Sequence, residues 1–141
     1  TGKTGSITAF YTVLVDGDDM NEPIADAVRG ILDGHIVLSR SLANKGHYPA
    51  IDVLASVSRV MNDIVPERQL EAANEFKRLL SIYRDSEDLI NIGAYQRGSN
   101  AEIDRAIDYY DRIRNYATQR TDEKVSFEES QERLISEFLG G

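Results

Sequence analysis

The run GHYPAIDVLASVSRVM, residues 46–61, gathers the side chains best suited to chemistry in this sequence. Tyr48-Pro49 reads as a turn that carries a semi-exposed aromatic ring. Ser56, Ser58 and Arg59 fall at the carboxyl end of a strand expected over IDVLAS, residues 51–56. That edge is where open α/β sheets bind ligands. An arginine there can hold a phosphate with both arms of its guanidinium, or reach a neighbouring subunit's ligand as an arginine finger. A structural salt bridge is the plain alternative, and the residue types alone leave both open.

Three other stretches invite a chemical reading and do not sustain it. TGKTGS, at the start, sits close to the phosphate-binding pattern G-x-x-x-x-G-K-[ST], with Lys3 as its lysine. That loop needs a strand and a first glycine before it, and a helix after it whose N-terminus faces the phosphates. Only Thr1 precedes Gly2, and the residues that follow are strand-like, so a mobile Gly/Thr loop is expected instead. DGDDMNE, residues 16–22, suggests calcium, but counting from Asp16 places Met20 at position 5, Asn21 at 6 and Ala27 at 12. An EF-hand loop wants an oxygen ligand, a glycine and a glutamate there, so an acidic turn is the reading. His35 and His47 are the only histidines. Neither lies at ligand spacing from a second metal-binding type and no serine is poised as a nucleophile, so no metal site and no triad is expected.

These residues must be positioned by a chain of 141 residues, enough for one domain or two small ones. A 41% hydrophobic content supports a packed core, and a net charge of −8 argues against nucleic acid as a partner. Half of that charge lies in the segment 121–141, which has six acidic and two basic residues. The absence of cysteine excludes disulfides and makes the cytoplasm the default compartment. No apolar run approaches the ~20 residues that cross a bilayer. The chain shows no signal peptide and does not begin with Met, and the expectation is a piece of a longer protein.

The first half alternates strands and helices. SITAFYTVLV, Ser6 to Val15, is β-branched and aromatic, as a buried strand should be. Pro23 suits the first turn of a helix, with Ile24, Ala27, Val28, Ile31 and Leu32 at helical spacing and Gly34 as its stop. HIVLS reads as a second strand, RSLANKG as a short helix and IDVLAS as a third strand, a pattern that indicates a parallel sheet. So few strands cannot close such a sheet. The second half is helical. Pro66 opens a helix with Leu70, Ala73, Phe76, Leu79, Leu80 and Tyr83 near one face, and Ser86 is a candidate cap for a separate short helix through EDLINI. After the glycine-bracketed loop GAYQRGSN, Ser99 with Glu102 reads as a capping box for a helix carrying Ile103, Ala106, Ile107, Tyr110 and Ile113. Ser126 with Glu129 is a second capping box, ahead of Phe127, Leu134, Ile135 and Phe138. The boundary between the halves is expected near Val65–Pro66.

The runs GSITAFYTVLVDGDDMNEPIADAVRGILDGHIVLSR and GHYPAIDVLASVSRVM closely resemble the flagellar protein-export ATPases, the ATPases of type III secretion. More distantly they are similar to the catalytic subunits of rotary ATP synthases, which carry a related YPA-(I/V)-D…S-x-SR run. SEDLINIGAYQRGSNAEIDRAID resembles the helical C-terminal domain of the secretion ATPases. The resemblance implies the last third of such a protein: the C-terminal part of a RecA-like α/β nucleotide-binding domain over residues 1–65, then an all-α C-terminal domain over 66–141. It implies that the family's P-loop, water-positioning glutamate and magnesium-binding aspartate lie upstream of this chain. The likeness of TGKTG to a P-loop is then accidental. Tyr48 matches the tyrosine that packs on the adenine ring of its own subunit's nucleotide. Arg59 matches the arginine that reaches a neighbour's γ-phosphate across a homohexamer interface.

The function so implied is ATP hydrolysis, with magnesium, by a ring hexamer that drives type III or flagellar export. This chain alone is expected to be inactive and to bind no cofactor tightly. Export chaperones, export substrates and other subunits of the apparatus are the implied partners, the first two through 66–141, and the membrane is met only through partners. The alternative reading is a non-enzymatic module that docks chaperones or substrates.

Overall fold

The computed structural model describes residues 2–15, 17 and 19–140. They fall into two compact units, one ending at Asp33 and the other beginning at Gly34.

In the first unit the expected strand over Ser6–Val15 does not form. Ile7, Phe10 and Leu14 are 95%, 92% and 91% exposed. β propensity becomes a strand only when a neighbour completes the hydrogen-bond ladder. Among the described residues no backbone bond reaches 6–15. Helix α1, Pro23–Ile31, starts with Pro23 in its first turn, as the fixed φ of proline favours. It ends at Leu32, whose N–H reaches the Val28 carbonyl, so Gly34 is not its stop. Of its apolar stripe, Ile24, Ala27 and Ile31 are exposed, and Ala25, outside that stripe, is the buried residue. Val28, Ile31 and Leu32 line a groove of about 290 Å³ with Tyr11, Thr12 and Val13.

The second unit opens with β1, Gly34–Leu38, the short helix α2, Arg40–Asn44, and β2, Ile51–Ser58. The two strands pair antiparallel, with Gly34 opposite Ser58 and Leu38 opposite Ile51. This corrects the parallel arrangement read from the alternation of strand and helix. A parallel crossover needs a helix long enough to carry the chain back along the sheet. The five residues of α2 rise only ~7.5 Å, so the chain folds back on itself instead.

The one-turn helix α3, Met61–Ile64, leads to α4, Glu67–Asn91, capped by Pro66. Helix α5 spans Ala101–Ala117 and α6 spans Phe127–Leu139. The core is the meeting of these last three: Ala72, Ala73, Phe76 and Leu79 from α4, Ala106 and Ile113 from α5, and Leu134 and Phe138 from α6. Phe76 meets Phe138 edge-on at 5.1 Å and Tyr116 at 5.7 Å. Tyr83 stacks on Tyr110 at 3.7 Å. Val53 of β2 and Met61 of α3 pack against the same cluster, so the sheet and the helices share one core.

Two caps differ from expectation. Ser86 does not begin a new helix: α4 runs through it unbroken and Ser86 is 6% exposed. It sits on the stripe 69, 72, 76, 79, 83, 86, and burial of that stripe outweighs the residue's capping preference. For α5 the cap is Asn100 rather than Ser99. The Asn100 side chain accepts from the N–H groups of Glu102 and Ile103, while Ser99 Oγ donates to the Gln96 carbonyl. The capping box at α6 forms as read, with Ser126 and Glu129 bonded reciprocally.

Candidate functional site

Tyr48 is set by the turn between α2 and β2. The Ser39 side chain caps α2 and its own N–H reaches the Ala50 carbonyl at 2.8 Å, closing the base of the loop. Gly46, at φ +73°, takes a left-handed conformation that lets His47 N–H return to the Leu42 carbonyl at 3.0 Å. Tyr48 then stands 58% exposed ahead of Pro49, with which it forms a cis peptide bond. The loop is tied to the helices: Gln119 N–H donates to the Tyr48 carbonyl at 2.9 Å, and Lys45 pairs with Glu87 of α4 at 3.0 Å. His47 lies beside Arg84 and Arg114. Partial burial, with the field of those two cations, holds its imidazole below the ordinary value of 6.5, favouring the neutral ring.

The strand that leaves this loop is irregular. Val37 faces Asp52, but His35 faces Val57, so β2 advances five residues while β1 advances two. The excess bulges out and is organised by two side chains. Asp52 Oδ1 accepts from the N–H groups of Leu54 at 3.1 Å and Ala55 at 3.2 Å. Ser56 Oγ donates to the Asp52 carbonyl at 2.6 Å and accepts from Val37 N–H at 3.0 Å, replacing a lost ladder bond. Arg84 of α4 pairs with the same Asp52 oxygen at 2.8 Å. Beyond the bulge β2 resumes its pairing. A Cβ on Gly34 would come within 2.7 Å of the Val57 carbonyl oxygen, so glycine is what allows β1 to close on the end of β2.

Arg59 follows directly, exposed, one residue past the end of β2. Tyr48 and Arg59 thus occupy opposite ends of one strand. Ser56, which the sequence places at a ligand edge, has its hydroxyl engaged by the bulge. Ser58 is exposed and in register with Gly34. Asp52 and Arg84 are not picked out by the sequence reading. Their signal lies in a register shift that alternation along one strand cannot reveal.

The remaining candidates do not join this site. Lys3 is exposed in a turn closed by Gly2 N–H on the Gly5 carbonyl. His35 contacts the Ala55 carbonyl through Nε2 at 3.2 Å. Asp16 and Asp18 of the acidic run lie outside the described residues, and Asp19 accepts from Asn21 N–H as in an ordinary Asx turn. Among the described residues no three His, Cys, Asp or Glu side chains converge as metal ligands. None of the described helices is long and apolar enough to cross a membrane.

Residues 65–136 match the family model of the T3SS EscN ATPase C-terminal domain, and residues 1–58 that of the ATP synthase alpha/beta family nucleotide-binding domain. The chain is 64% identical over 132 residues to the flagellum-specific ATP synthase of Bacillus subtilis, covering 94% of this chain and 30% of that protein. Among solved structures it is similar to the assembled ATPase EscN of the enteropathogenic E. coli type III secretion system. That match has a TM-score of 0.90 and 48% identity, covering 95% of this chain and 32% of the other. A structure of assembled EscN with its central stalk EscO matches with a TM-score of 0.86 and 45% identity, over 98% of this chain and 32% of the other. The chain therefore spans about 30% of the length of the curated relatives it matches.

Proposed function

The chain belongs to the family of flagellar and type III secretion ATPases, and from that premise we propose that it supplies one half of an intersubunit ATP-hydrolysis site. The whole protein hydrolyses ATP as a homohexameric ring in the cytoplasm, to drive export. Within it residues 1–65 complete the nucleotide-binding domain and residues 66–141 form the helical domain. The family matches over 1–58 and 65–136 support that division. Arg59 is the arginine finger. It projects toward a neighbour's γ-phosphate, where a fixed positive charge stabilises the charge that develops as the phosphoryl group transfers. Tyr48 stacks on the adenine of its own subunit's nucleotide. The observation that carries this reading is the exposure of both residues at opposite ends of β2, which suits service to two different nucleotides.

The experiment is Arg59→Ala in the complete protein. Turnover falls at least ~100-fold while ring assembly is retained. Arg59→Lys recovers little, since an ammonium lacks the fork. Mixing in subunits that lack a P-loop but keep Arg59 restores part of the activity. Retained turnover in an assembled Arg59→Ala ring refutes the assignment.

The helical domain is the proposed docking surface for chaperones and export substrates. Its acidic C-terminal segment and the shallow groove of about 480 Å³ between Lys124, Val125, Glu129 and Arg133 support that role. Chemical-shift changes on adding an export chaperone are expected in residues 66–141. Changes confined to residues 1–65 overturn this part of the reading.

A further inference from the structure

We propose that Asp52 and Arg84 are positioning residues that set the aim of Arg59, so that helix α4 holds the finger in place through the bulge of β2. The inference rests on the arginine-finger reading above and adds what directs the finger.

The bulge lies between the last regular pairing with β1 on one side, at Asp52, and the final pairs, at Val57 and Ser58, on the other. The direction in which the chain leaves Ser58, and with it the origin of the Arg59 side chain, depends on how the excess residues are folded. A bulge bends its strand and increases local twist. Ser56 Oγ ties this one to β1, and a carboxylate folds its inside: Asp52 Oδ1 gathers the N–H groups of Leu54 and Ala55 and the Arg84 guanidinium, all within 3.2 Å. The pair is largely covered, with side-chain exposures of 21% for Asp52 and 31% for Arg84. Arg84 rises from a helix whose neighbouring turns bury Leu79 and Ser86, so its anchor is rigid. Two further ties, Gln119 N–H to the Tyr48 carbonyl and Lys45 to Glu87, fasten the other end of β2 to the same helical layer. The helices thus grip the strand before Ile51 and in its middle, and Met61, two residues past Arg59, packs on the same helical core.

A charge-assisted pair on the oxygen that caps two amides does more than add stability. Without Arg84, Oδ1 is free to rotate away from Leu54 and Ala55, and the bulge has other ways to fold. Misplacing a catalytic group by about 1 Å can cost ~100-fold in rate. The expected signature is a loss in kcat with little change in KM, because an arginine finger acts on charge that develops in the transition state more than on the bound nucleotide.

The test is a double-mutant cycle in the complete protein, measuring turnover and KM for ATP in assembled rings. Arg84→Met should lower kcat about tenfold to 100-fold with KM nearly unchanged. Arg84→Lys, which keeps a charge near Asp52, should recover part of the loss. The Arg59→Ala/Arg84→Met protein should be no slower than Arg59→Ala alone, since the aim of an absent finger has no consequence. If the two losses multiply instead, Arg84 acts on turnover by another route and the inference is overturned. Should Arg84→Met rings fail to assemble, Asp52→Asn replaces it in the same cycle: the amide oxygen still accepts from Leu54 and Ala55 while the ion pair is gone. Unchanged kcat in assembled Arg84→Met rings that still need Arg59 defeats this inference alone. Unchanged turnover in Arg59→Ala rings defeats the finger reading and this one with it.

Discussion

Replacing Phe138 with alanine should remove a large share of the stability of the helical layer. Phe138 is 3% exposed and lies among the rings of Phe76 at 5.1 Å, Tyr116 at 6.1 Å and Tyr109 at 6.3 Å. Truncation of a buried phenylalanine costs about 3–5 kcal/mol, part of it the cavity left behind. Two of the three ring contacts are edge-to-face, a geometry worth about 0.5–1.5 kcal/mol each, which places the site toward the upper part of that range. One effect opposes this: Phe138 is in the last turn of α6, next to its end at Leu139, and fraying there relieves some of the cost. The expected loss is therefore about 3–4 kcal/mol. A domain of residues 66–141 has roughly 4–11 kcal/mol in total by the usual stability per residue. The assay is guanidinium titration followed by far-UV circular dichroism, with unchanged m as the condition for reading a free energy. Phe127→Ala is the internal control. It removes the same side chain from the first turn of the same helix, where the ring is 67% exposed, and should change stability by less than about 0.5 kcal/mol. A loss below about 1 kcal/mol for Phe138→Ala, or equal losses for both, would refute the assignment of Phe138 to the core.

Three further outcomes are expected. Asn100→Ala should destabilise by about 1 kcal/mol through the loss of two capped amides, and Ser99→Ala by clearly less; the reverse order in denaturant titrations would restore Ser99 as the cap. His47 is held below its ordinary value of 6.5, so the unfolded chain takes up its proton first as the pH falls. Stability is then intact above 6.5 and declines below it, and His47→Gln should flatten that decline in denaturation midpoints measured between about pH 5 and 8. Residues 66–141 expressed alone should melt cooperatively as a helical protein, at a lower temperature than the whole chain because the contacts of Val53 and Met61 are gone; a featureless melt would show that the sheet is required.

What could be read in the sequence was whatever is decided within one turn of backbone or by a motif. The α6 capping box needed only Ser126 and Glu129, and it forms as read. Pro23 and Pro66 marked helix starts because a proline restricts φ wherever it stands. Several of the misreadings came from contacts that local patterns do not contain. Ser86 has a capping residue's chemistry, but α4 turns it inward onto the buried stripe. Ser6–Val15 has a strand's composition, but no ladder forms on it among the described residues. The alternation of strand and helix suggested parallel pairing, and the shortness of α2 decided otherwise.

The site divides along the same line. Tyr48 and Arg59 are singled out because their types and spacing resemble a family's run, and the structure leaves both exposed at the ends of β2. Asp52 and Arg84 stand 32 positions apart and meet only after β2 has slipped its register against β1. A slip of this kind changes which face every later residue presents, so the exit of Arg59 from the sheet depends on it. The side chain proposed to do the chemistry is thus visible in the linear sequence, while those proposed to aim it become visible only when strand and helix are packed together.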